Sequence, residues 1–218
     1  MRAPSAAVPG PGTVVFDFGA VLFRWKPYEL LQQVAPEYAR DEASARELAA
    51  QVFQSFTPDS DWARFDLGLL DEPELAQRIA RRTQLTVEAM GRVIQAVPGH
   101  LSALPASVAL FRALRAAGHR MVFLSNMPRP YALLLEQENP FIAEFDDGIF
   151  SGRVGLIKPW PAIYQLAQHR FGLQPGARTV FLDDHAGNVN AGRAFGWQGV
   201  VFQDAAQAEA ELRLGGWL

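Results

Sequence analysis

The sequence predicts an α/β protein in which helices cover a parallel sheet and a helical segment follows the first strand. Two observations lead to this fold class. In the second half of the chain, short apolar strands alternate with helical segments, a pattern typical of parallel sheets covered on both faces. Residues 27–97, in contrast, carry apolar residues at spacings of three and four, without a convincing strand.

The elements of the first half follow from this pattern. Residues 13–18 (TVVFDF) are predicted to form the first strand. Four helical segments come next, and one of them opens with acids and a Pro in its first turn (DEPEL), as helices commonly do. The stretch PGHLSALP, residues 98–105, is expected to be a hinge or linker. The four segments read YELLQQVA, EASARELAAQVFQSF, PELAQRIARRT and VEAMGRVIQAV.

In the second half, apolar strands and amphipathic helices alternate, and three of the helices are expected to end at Gly118, Gly172 and Gly196. FDDGIFSG is interpreted as a short strand or an irregular turn. The predicted strands are RMVFLSN, RTVFLDD and WQGVVF, and the predicted helices are SVALFRALRAAGH, PYALLLEQE, PAIYQLAQHRFG and GNVNAGRAFG.

This order of elements predicts a division into domains. Residues 13–24 together with 98–218 are expected to form the α/β core, and residues 25–97 a helical cap inserted into it. Residues 1–12, which contain three prolines, are expected to be a flexible N-terminus.

Composition limits the class of protein. The chain has 218 residues, is 49% hydrophobic and 20% charged, and has a net charge of −3, so it can bury a full core but offers no basic surface for nucleic acid or membrane. It contains no cysteine, which excludes thiolate chemistry and agrees with a cytoplasmic protein. Neither a signal peptide nor a membrane span is predicted. A monomer and a homodimer are both compatible with the sequence.

Polar residues follow the apolar strands at the points where the strands end. They are Asp17, the pair Ser125-Asn126 and the pair Asp183-Asp184, and Lys158 comes just before a helix. Because parallel strands end at one edge of the sheet, these groups are expected to converge. Several carboxylates with one ammonium group suit Mg²⁺ and a phosphate-bearing substrate, and an aspartate in line with phosphorus can act as a nucleophile.

In this order, the motifs resemble those of the haloacid dehalogenase-like (HAD) hydrolase superfamily. FDFGAVLF, FLSN, IKP and FLDDHAGNV are similar to its four motifs, and the resemblance covers essentially residues 13–204. It implies a Rossmann-like core with a small helical cap. Residues 61–70 (DWARFDLGLL) resemble the cap loop that reaches towards the active site, and the branch most similar is the alpha-D-glucose-1-phosphate phosphatase-like group.

The resemblance implies a role for each motif. Asp17 would be the nucleophile that forms an aspartyl-phosphate, Ser125 and Asn126 would hold the transferring phosphate, and Lys158 would steady both. From the cap, Trp62 and Phe65 are candidate substrate contacts, although packing between helices is the more common role of such aromatic residues.

The resemblance also implies a Mg²⁺ site. Its ligands would be Asp17, the backbone carbonyl of Gly19, and Asp183 and Asp184, with Asp184 the more direct of the pair. Gly19 departs from the family, in which most phosphatases carry a second Asp that protonates the leaving group. A positioned acid contributes roughly 10²–10⁴-fold to the rate, so a replacement donor is expected, and His185 is a candidate.

The predicted function is that of a Mg²⁺-dependent phosphatase acting on a small phosphorylated metabolite, with a sugar phosphate as one candidate. Two alternatives stay open. In a 2-haloacid dehalogenase Asp17 would attack carbon without a metal, and such enzymes also lack the second acid. Loss of that acid is equally compatible with a catalytically impaired binding protein.

Overall fold

A computed structural model describes residues 10–174 and 176–218; most of the predicted flexible N-terminus therefore lies outside the described residues. Five strands form one fully parallel sheet in the order β3-β2-β1-β4-β5. The predicted α/β class with a parallel sheet is thus confirmed. The strands are β1 Thr13–Phe16, β2 Arg120–Ser125, β3 Asp147–Phe150, β4 Thr179–Asp183 and β5 Gln198–Val201.

Strand β1 occupies the centre of the sheet, where Phe16 is level with Phe123 of β2 and Leu182 of β4. The chain runs outward from β1 in both directions, first to β2 and β3 and later to β4 and β5. Such a reversal leaves a crevice at the carboxyl ends of the central strands, which is where ligands bind in open α/β sheets.

Eleven α-helices are assigned in the described residues. Five of them lie between β1 and β2, ahead of α6, and fill the predicted helical insertion. The eleven helices are α1 Pro27–Val34, α2 Glu42–Phe53, α3 Asp61–Asp66, α4 Glu72–Arg82, α5 Val87–His100, α6 Pro105–Ala116, α7 Arg129–Glu138, α8 Ser151–Val154, α9 Pro161–Arg170, α10 Ala186–Ala194 and α11 Ala205–Leu214. None of the described helices has both the length and the apolar character needed to cross a membrane.

The start of the predicted hinge belongs to α5, because this helix continues through Pro98 to His100. A proline inside a helix leaves the carbonyl four residues earlier without its N–H donor. Here the Tyr131 hydroxyl donates a hydrogen bond to that carbonyl, Ile94 O, over 2.8 Å. The connection between the helical insertion and α6 therefore starts only after residue 100.

The segment predicted as a cap loop, residues 61–70, begins with the helix α3 rather than with a loop. Ser60 caps this helix, since its side chain accepts a hydrogen bond from the Ala63 N–H over 3.0 Å. Asp66 is the last residue of α3.

The end of α3 is fastened to the α/β core by the buried Ser151, which directly follows β3. Its hydroxyl donates to the Asp66 carbonyl over 2.7 Å and accepts from the Met127 N–H over 2.8 Å. The chains approach closely here, because a Cβ on Gly152 would lie 2.7 Å from the Arg129 nitrogen. This contact holds Asp66 in a defined position relative to the loops after β2 and β3.

The apolar core has two parts, one on each face of the sheet. Val15, Val122 and Phe181 point to the face covered by α9. Val14 and Phe16 point to the other face, whose buried residues continue without interruption into the helical insertion. The insertion therefore packs over one side of the sheet and above the carboxyl ends of its central strands.

Candidate active site

The predicted strand-end groups meet around the ammonium group of Lys158. Its Nζ lies 2.8 Å from Asp17 Oδ1 and 2.6 Å from Asp183 Oδ2. Asp17 follows β1 directly and Asp183 ends β4, so two neighbouring strands deliver the two carboxylates. The structure thus brings together residues that are far apart in the sequence. Asp17 precedes Lys158 by 141 positions, and Lys158 precedes Asp183 by 25.

Lys158 is almost completely buried, with 1% of its side chain exposed. Burial alone would lower the pKa of Lys158, but the charges of Asp17 and Asp183 outweigh it and raise the pKa above the ordinary value. The lysine is therefore a permanent cation, and it holds the two carboxylates in fixed positions. Burying an unpaired charge at this depth would cost several kcal/mol.

Both carboxylate oxygens of Asp183 accept hydrogen bonds from the protein. Oδ1 accepts from the His185 N–H over 2.8 Å, Oδ2 accepts from Lys158, and the Asn188 amide donates to both oxygens over 3.0 and 3.1 Å. These three donors suit a residue that holds the loop after β4 in shape. Asn188, one turn into α10, thereby orients the acidic pair.

Asp184 is the opposite case, since its side chain is exposed at the cavity and receives no hydrogen bond from another described side chain. Loss of solvent around the carboxylate and the charge of Asp183 raise the pKa of Asp184 to about 6. Of the acidic pair, Asp184 is therefore the one free to bind a cation.

Asp17 is held in one orientation, because its Oδ1 accepts from the Phe18 N–H over 2.7 Å and from Lys158. Burial raises the pKa of Asp17 to about 7; Lys158 opposes this rise, and the charges of Asp183 and Asp184 add to it. The second oxygen, Oδ2, accepts no hydrogen bond from a described residue and is available for a cation or for nucleophilic attack.

The donor set fits a divalent cation. Oxygens of Asp17, Asp183 and Asp184 come within 4.8 Å of one another, and only one ammonium group, Lys158, balances them. A further cation would lower the pKa of Asp17 and Asp184 and remove their repulsion, and hard carboxylate oxygens suit Mg²⁺.

Gly19 lines the cavity beside Asp17. A Cβ built on this glycine would meet nothing within 4 Å, so packing does not demand a glycine here. The missing side chain therefore leaves open space at the site, while the backbone carbonyl remains.

The two predicted phosphate-binding residues of β2 have different environments. Ser125 is 1% exposed, and its hydroxyl has no hydrogen-bond partner among the described residues. An orphaned buried hydroxyl costs about 1–3 kcal/mol, which a phosphate oxygen entering the site would recover. Asn126 instead binds the backbone of Lys158 twice, through Nδ2 to O over 3.0 Å and from N to Oδ1 over 2.8 Å. Asn126 thereby positions Lys158, and it also lines the cavity, so its contact with a phosphate stays a prediction.

These groups open into a cavity of about 290 Å³ between the sheet edge and the helical insertion. Trp62 of α3 lines it. Phe65 does not: it is 2% exposed and packs edge-to-face against Trp62 and Tyr131. Phe65 therefore takes the packing role that the sequence also allowed, and its role as a substrate contact stays a prediction.

Asp66 is a cavity residue that the sequence did not reveal as such. It lies four positions after Trp62 on α3, so both residues share one face of the helix. That spacing was the available signal, but it becomes informative only once the cavity shows which face of α3 is turned inward.

A buried lysine–carboxylate centre lies at the switch point of the parallel sheet, beneath a helical insertion, and this arrangement is typical of one class of α/β hydrolases. A family model of the haloacid dehalogenase-like hydrolases matches residues 12–196, and the chain belongs to this family. The resemblance noted in the motifs is thus confirmed.

Among curated proteins, the chain is similar to the sesquiterpene phosphatase astK of Aspergillus oryzae, at 25% identity over 91% of this chain and 93% of the relative. Two solved structures show the same fold. The HAD family enzyme bt-2542 of Bacteroides thetaiotaomicron, in complex with magnesium and inorganic phosphate, has a TM-score of 0.64 at 19% identity and covers 89% of this chain and 95% of its own. The L-2-haloacid dehalogenase of Xanthobacter autotrophicus has a TM-score of 0.62 at 19% identity and covers 94% of this chain and 83% of its own.

Proposed function

We propose that this protein is a Mg²⁺-dependent phosphatase that hydrolyses a small phosphate monoester through an aspartyl-phosphate on Asp17. The observation that carries the proposal is the arrangement of Asp17, Lys158 and the Asp183-Asp184 pair at one end of the cavity. The similarity to the phosphatase astK supports the same reaction.

Each residue of the site has its own role in this reaction. Asp17 attacks phosphorus through its oxygen, Lys158 holds Asp17 and balances the charge of an incoming phosphate, and the orphaned Ser125 hydroxyl donates to a phosphate oxygen. Asp17, the Gly19 carbonyl and Asp184 would hold Mg²⁺, which neutralises charge on the carboxylates and the phosphate. Catalysis then consists mainly of positioning and charge balance.

The cavity wall favours an apolar organic group over the sugar that the sequence made a candidate. Most side chains facing the space beyond the sheet edge offer no hydrogen bond to sugar hydroxyls, and leaving those hydroxyls unpaired would be costly. The name of astK, a sesquiterpene phosphatase, agrees with an apolar substrate. The apolar wall includes Trp25, Phe56, Trp62, Leu101, Met127 and Ile157.

A matched pair of substrates tests this function. With Mg²⁺, farnesyl monophosphate is expected to be hydrolysed with a kcat/KM at least about 10-fold above that of glucose 1-phosphate, since burying some 100 Å² of apolar surface contributes about 2.5 kcal/mol. Chelator should abolish both reactions. Phosphate release is the measurement, and Trp62→Ala should lower kcat/KM for the farnesyl ester more than for the sugar phosphate.

Two results would contradict the proposal. Hydrolysis of 2-chloropropionate in excess chelator would establish a dehalogenase, the first alternative raised by the sequence. Beryllofluoride labelling of Asp17 without turnover of any phosphate ester would favour the catalytically impaired binding protein.

The raised pKa of Asp17 predicts a pH effect on the metal-free protein. The folded protein keeps the Asp17 proton up to about pH 7, whereas the ordinary pKa of an Asp side chain is 3.8. Between these two pKa values the folded state therefore binds more protons than the unfolded state. Because of this carboxyl, the free energy of unfolding falls as the pH rises from about 5 to about 8. The expected loss is a few kcal/mol, since one pKa unit corresponds to about 1.4 kcal/mol. Urea unfolding in chelator at both pH values measures it.

The variant Asp17→Asn is the control for this effect. It should lack the Asp17 contribution to the pH dependence of stability and retain the contributions of other groups. One of these is His100: burial lowers its pKa, so its contribution to stability has the opposite dependence on pH. Mg²⁺ should stabilise the wild-type protein more at pH 8 than at pH 5, because it binds ionised carboxylates. Equal pH dependence in wild type and Asp17→Asn would contradict the assignment.

A further inference from the structure

Phosphoryl transfer to Asp17 leaves a chemical requirement that the strand-end groups do not meet. When the ester bond breaks, the departing oxygen needs a proton, and a positioned donor matters most for an alcohol that is a poor leaving group. Asp17 is the nucleophile, Lys158 is locked between two carboxylates, and Asp184 faces the cation site. Three other titratable side chains line the cavity within the described residues: Asp66, Tyr131 and His185.

Tyr131 is already committed. Its hydroxyl donates to the Ile94 carbonyl over 2.8 Å, the bond that repairs α5 at Pro98. Burial raises the pKa of Tyr131 well above its ordinary value, so giving up the proton would leave a buried phenolate. Tyr131 is thus a structural donor and not a proton source for the reaction.

His185, the donor suggested by the sequence, serves as the cap of α10. Its Nδ1 accepts a hydrogen bond from the Gly187 N–H over 3.2 Å, and its side chain is exposed. An imidazole used as a cap in open solvent is not held towards one point in the cavity.

Asp66 differs from both. It is 7% exposed, it faces the cavity, and no described residue donates a hydrogen bond or a positive charge in contact with its carboxyl group. A buried carboxyl without partners is costly as an anion. Accordingly, burial raises the pKa of Asp66 well above its ordinary value, with the charge of Lys158 opposing and that of Asp17 assisting. Burial thus favours the protonated form of Asp66, which is the form that a proton donor needs.

The placement of Asp66 also suits a proton donor. It comes from α3 in the helical insertion, whereas the nucleophile comes from the sheet edge. Its carboxyl group does not belong to the set of acidic oxygens that lie within 4.8 Å of one another. In an in-line displacement the leaving oxygen departs on the side of phosphorus away from the nucleophile. The Ser151 hydroxyl, bound to the Asp66 carbonyl, fixes the backbone at this point.

We propose that Asp66 is a catalytic residue, the acid that protonates the leaving alcohol and the base that then activates water. This inference rests on the proposed function. In the first step a bond forms between Asp17 Oδ and phosphorus, the bond from phosphorus to the ester oxygen breaks, and the Asp66 proton passes to that oxygen to give the alcohol.

In the second step the Asp66 carboxylate takes a proton from water as the water oxygen attacks phosphorus. The bond between Asp17 and phosphorus breaks, inorganic phosphate leaves, and Asp66 is again protonated. Atoms and charges balance without a further reactant, and one residue performs both transfers because the alcohol and the water occupy the same side of phosphorus.

The test compares two leaving groups in a single variant, Asp66→Asn, which keeps the shape and removes the acidic proton. In the first turnover, octyl phosphate should be cleaved about 10²–10⁴-fold more slowly than by the wild type. Release of 4-nitrophenol from its phosphate, which needs no proton, should slow by less than about 10-fold. Because water activation is also lost, 4-nitrophenyl phosphate should give a burst and a phosphate adduct on Asp17 detectable by mass spectrometry.

Asp59→Asn is the matched control, since Asp59 is exposed just before α3; it should behave like the wild type. His185→Gln tests the rival donor and should retain the wild-type ratio of the two rates. If Asp66→Asn does not fold, as judged by its thermal transition, Asp66→Ser enters the same assay.

Equal slowing for both leaving groups in a folded Asp66 variant, or slowing of octyl phosphate cleavage by less than about 10-fold, would overturn the role of Asp66. Failure of the proposed function would look different, because the wild type and Asp59→Asn would then also show no turnover of either phosphate ester.

Discussion

Replacing Asp17 with Asn is expected to abolish phosphate release, with a fall of roughly 10⁴–10⁶-fold, in the range seen when an essential nucleophile is removed. The amide cannot form the acyl phosphate through which the reaction proceeds. The neighbours tolerate the change, since an amide oxygen can still accept from the Phe18 N–H, and Lys158 keeps its contact with Asp183. A continuous phosphate assay with Mg²⁺ measures the effect.

The stability of this variant separates lost chemistry from lost structure. Because burial raises the pKa of Asp17 to about 7, its charge opposes folding at pH 8, and metal-free Asp17→Asn should melt no lower than the wild type at that pH. Asp59→Asn serves again as the exposed Asp-to-Asn control. Turnover by Asp17→Asn above about 1% of the wild type would remove Asp17 as the nucleophile.

Lys158→Met is expected to reduce the free energy of unfolding by about 3–5 kcal/mol, the usual effect of removing one partner of a buried ion pair. The Met side chain is similar in length to that of Lys158, but Asp17 and Asp183 would stay buried without their cation. Asp17, whose pKa burial already raises to about 7, would also lose the cation that lowers its pKa, so the loss of stability should be larger at pH 8 than at pH 5. Phosphatase activity should disappear as well.

The only other lysine in the sequence provides a matched control. Lys26 is half exposed and pairs with Glu29 over 3.0 Å at the surface. Surface pairs contribute about 0–1 kcal/mol, so Lys26→Met should leave urea unfolding and activity nearly unchanged. A similar small effect for both variants would show that the buried Lys158 centre does not stabilise the fold.

The strand-end part of the site could be predicted because it depends on local patterns. An apolar run of four to six residues followed by Asp17, Ser125 or Asp183 predicts a buried strand ending in a polar group. The rule that parallel strands end at one edge then brings these residues together. Local patterns failed where the same residues are compatible with two structures. Pro98 can end a helix or lie within one. Here it lies within α5, because Tyr131, 33 positions away, donates the hydrogen bond that the proline cannot make.

The roles within the acidic pair could not be predicted either. Asp183 and Asp184 are identical in chemistry and adjacent in sequence, and only the pattern of donors distinguishes them. Four hydrogen bonds satisfy Asp183, whereas Asp184 remains free at the cavity. Asn126 likewise turned out to bind the backbone of Lys158, because the loops after β2 and before α9 meet in space.

The sequence by itself determined the fold class and a centre of carboxylates around one lysine, since strand period and strand ends are local properties of the chain. Tertiary structure alone decided which face of α3 is turned to the cavity, and thereby that Asp66 enters the site while Phe65 does not. The physical reason is that α3 is oriented by long-range packing, above all by Ser151 and Tyr131. A six-residue helix carries too little periodicity to fix its own orientation.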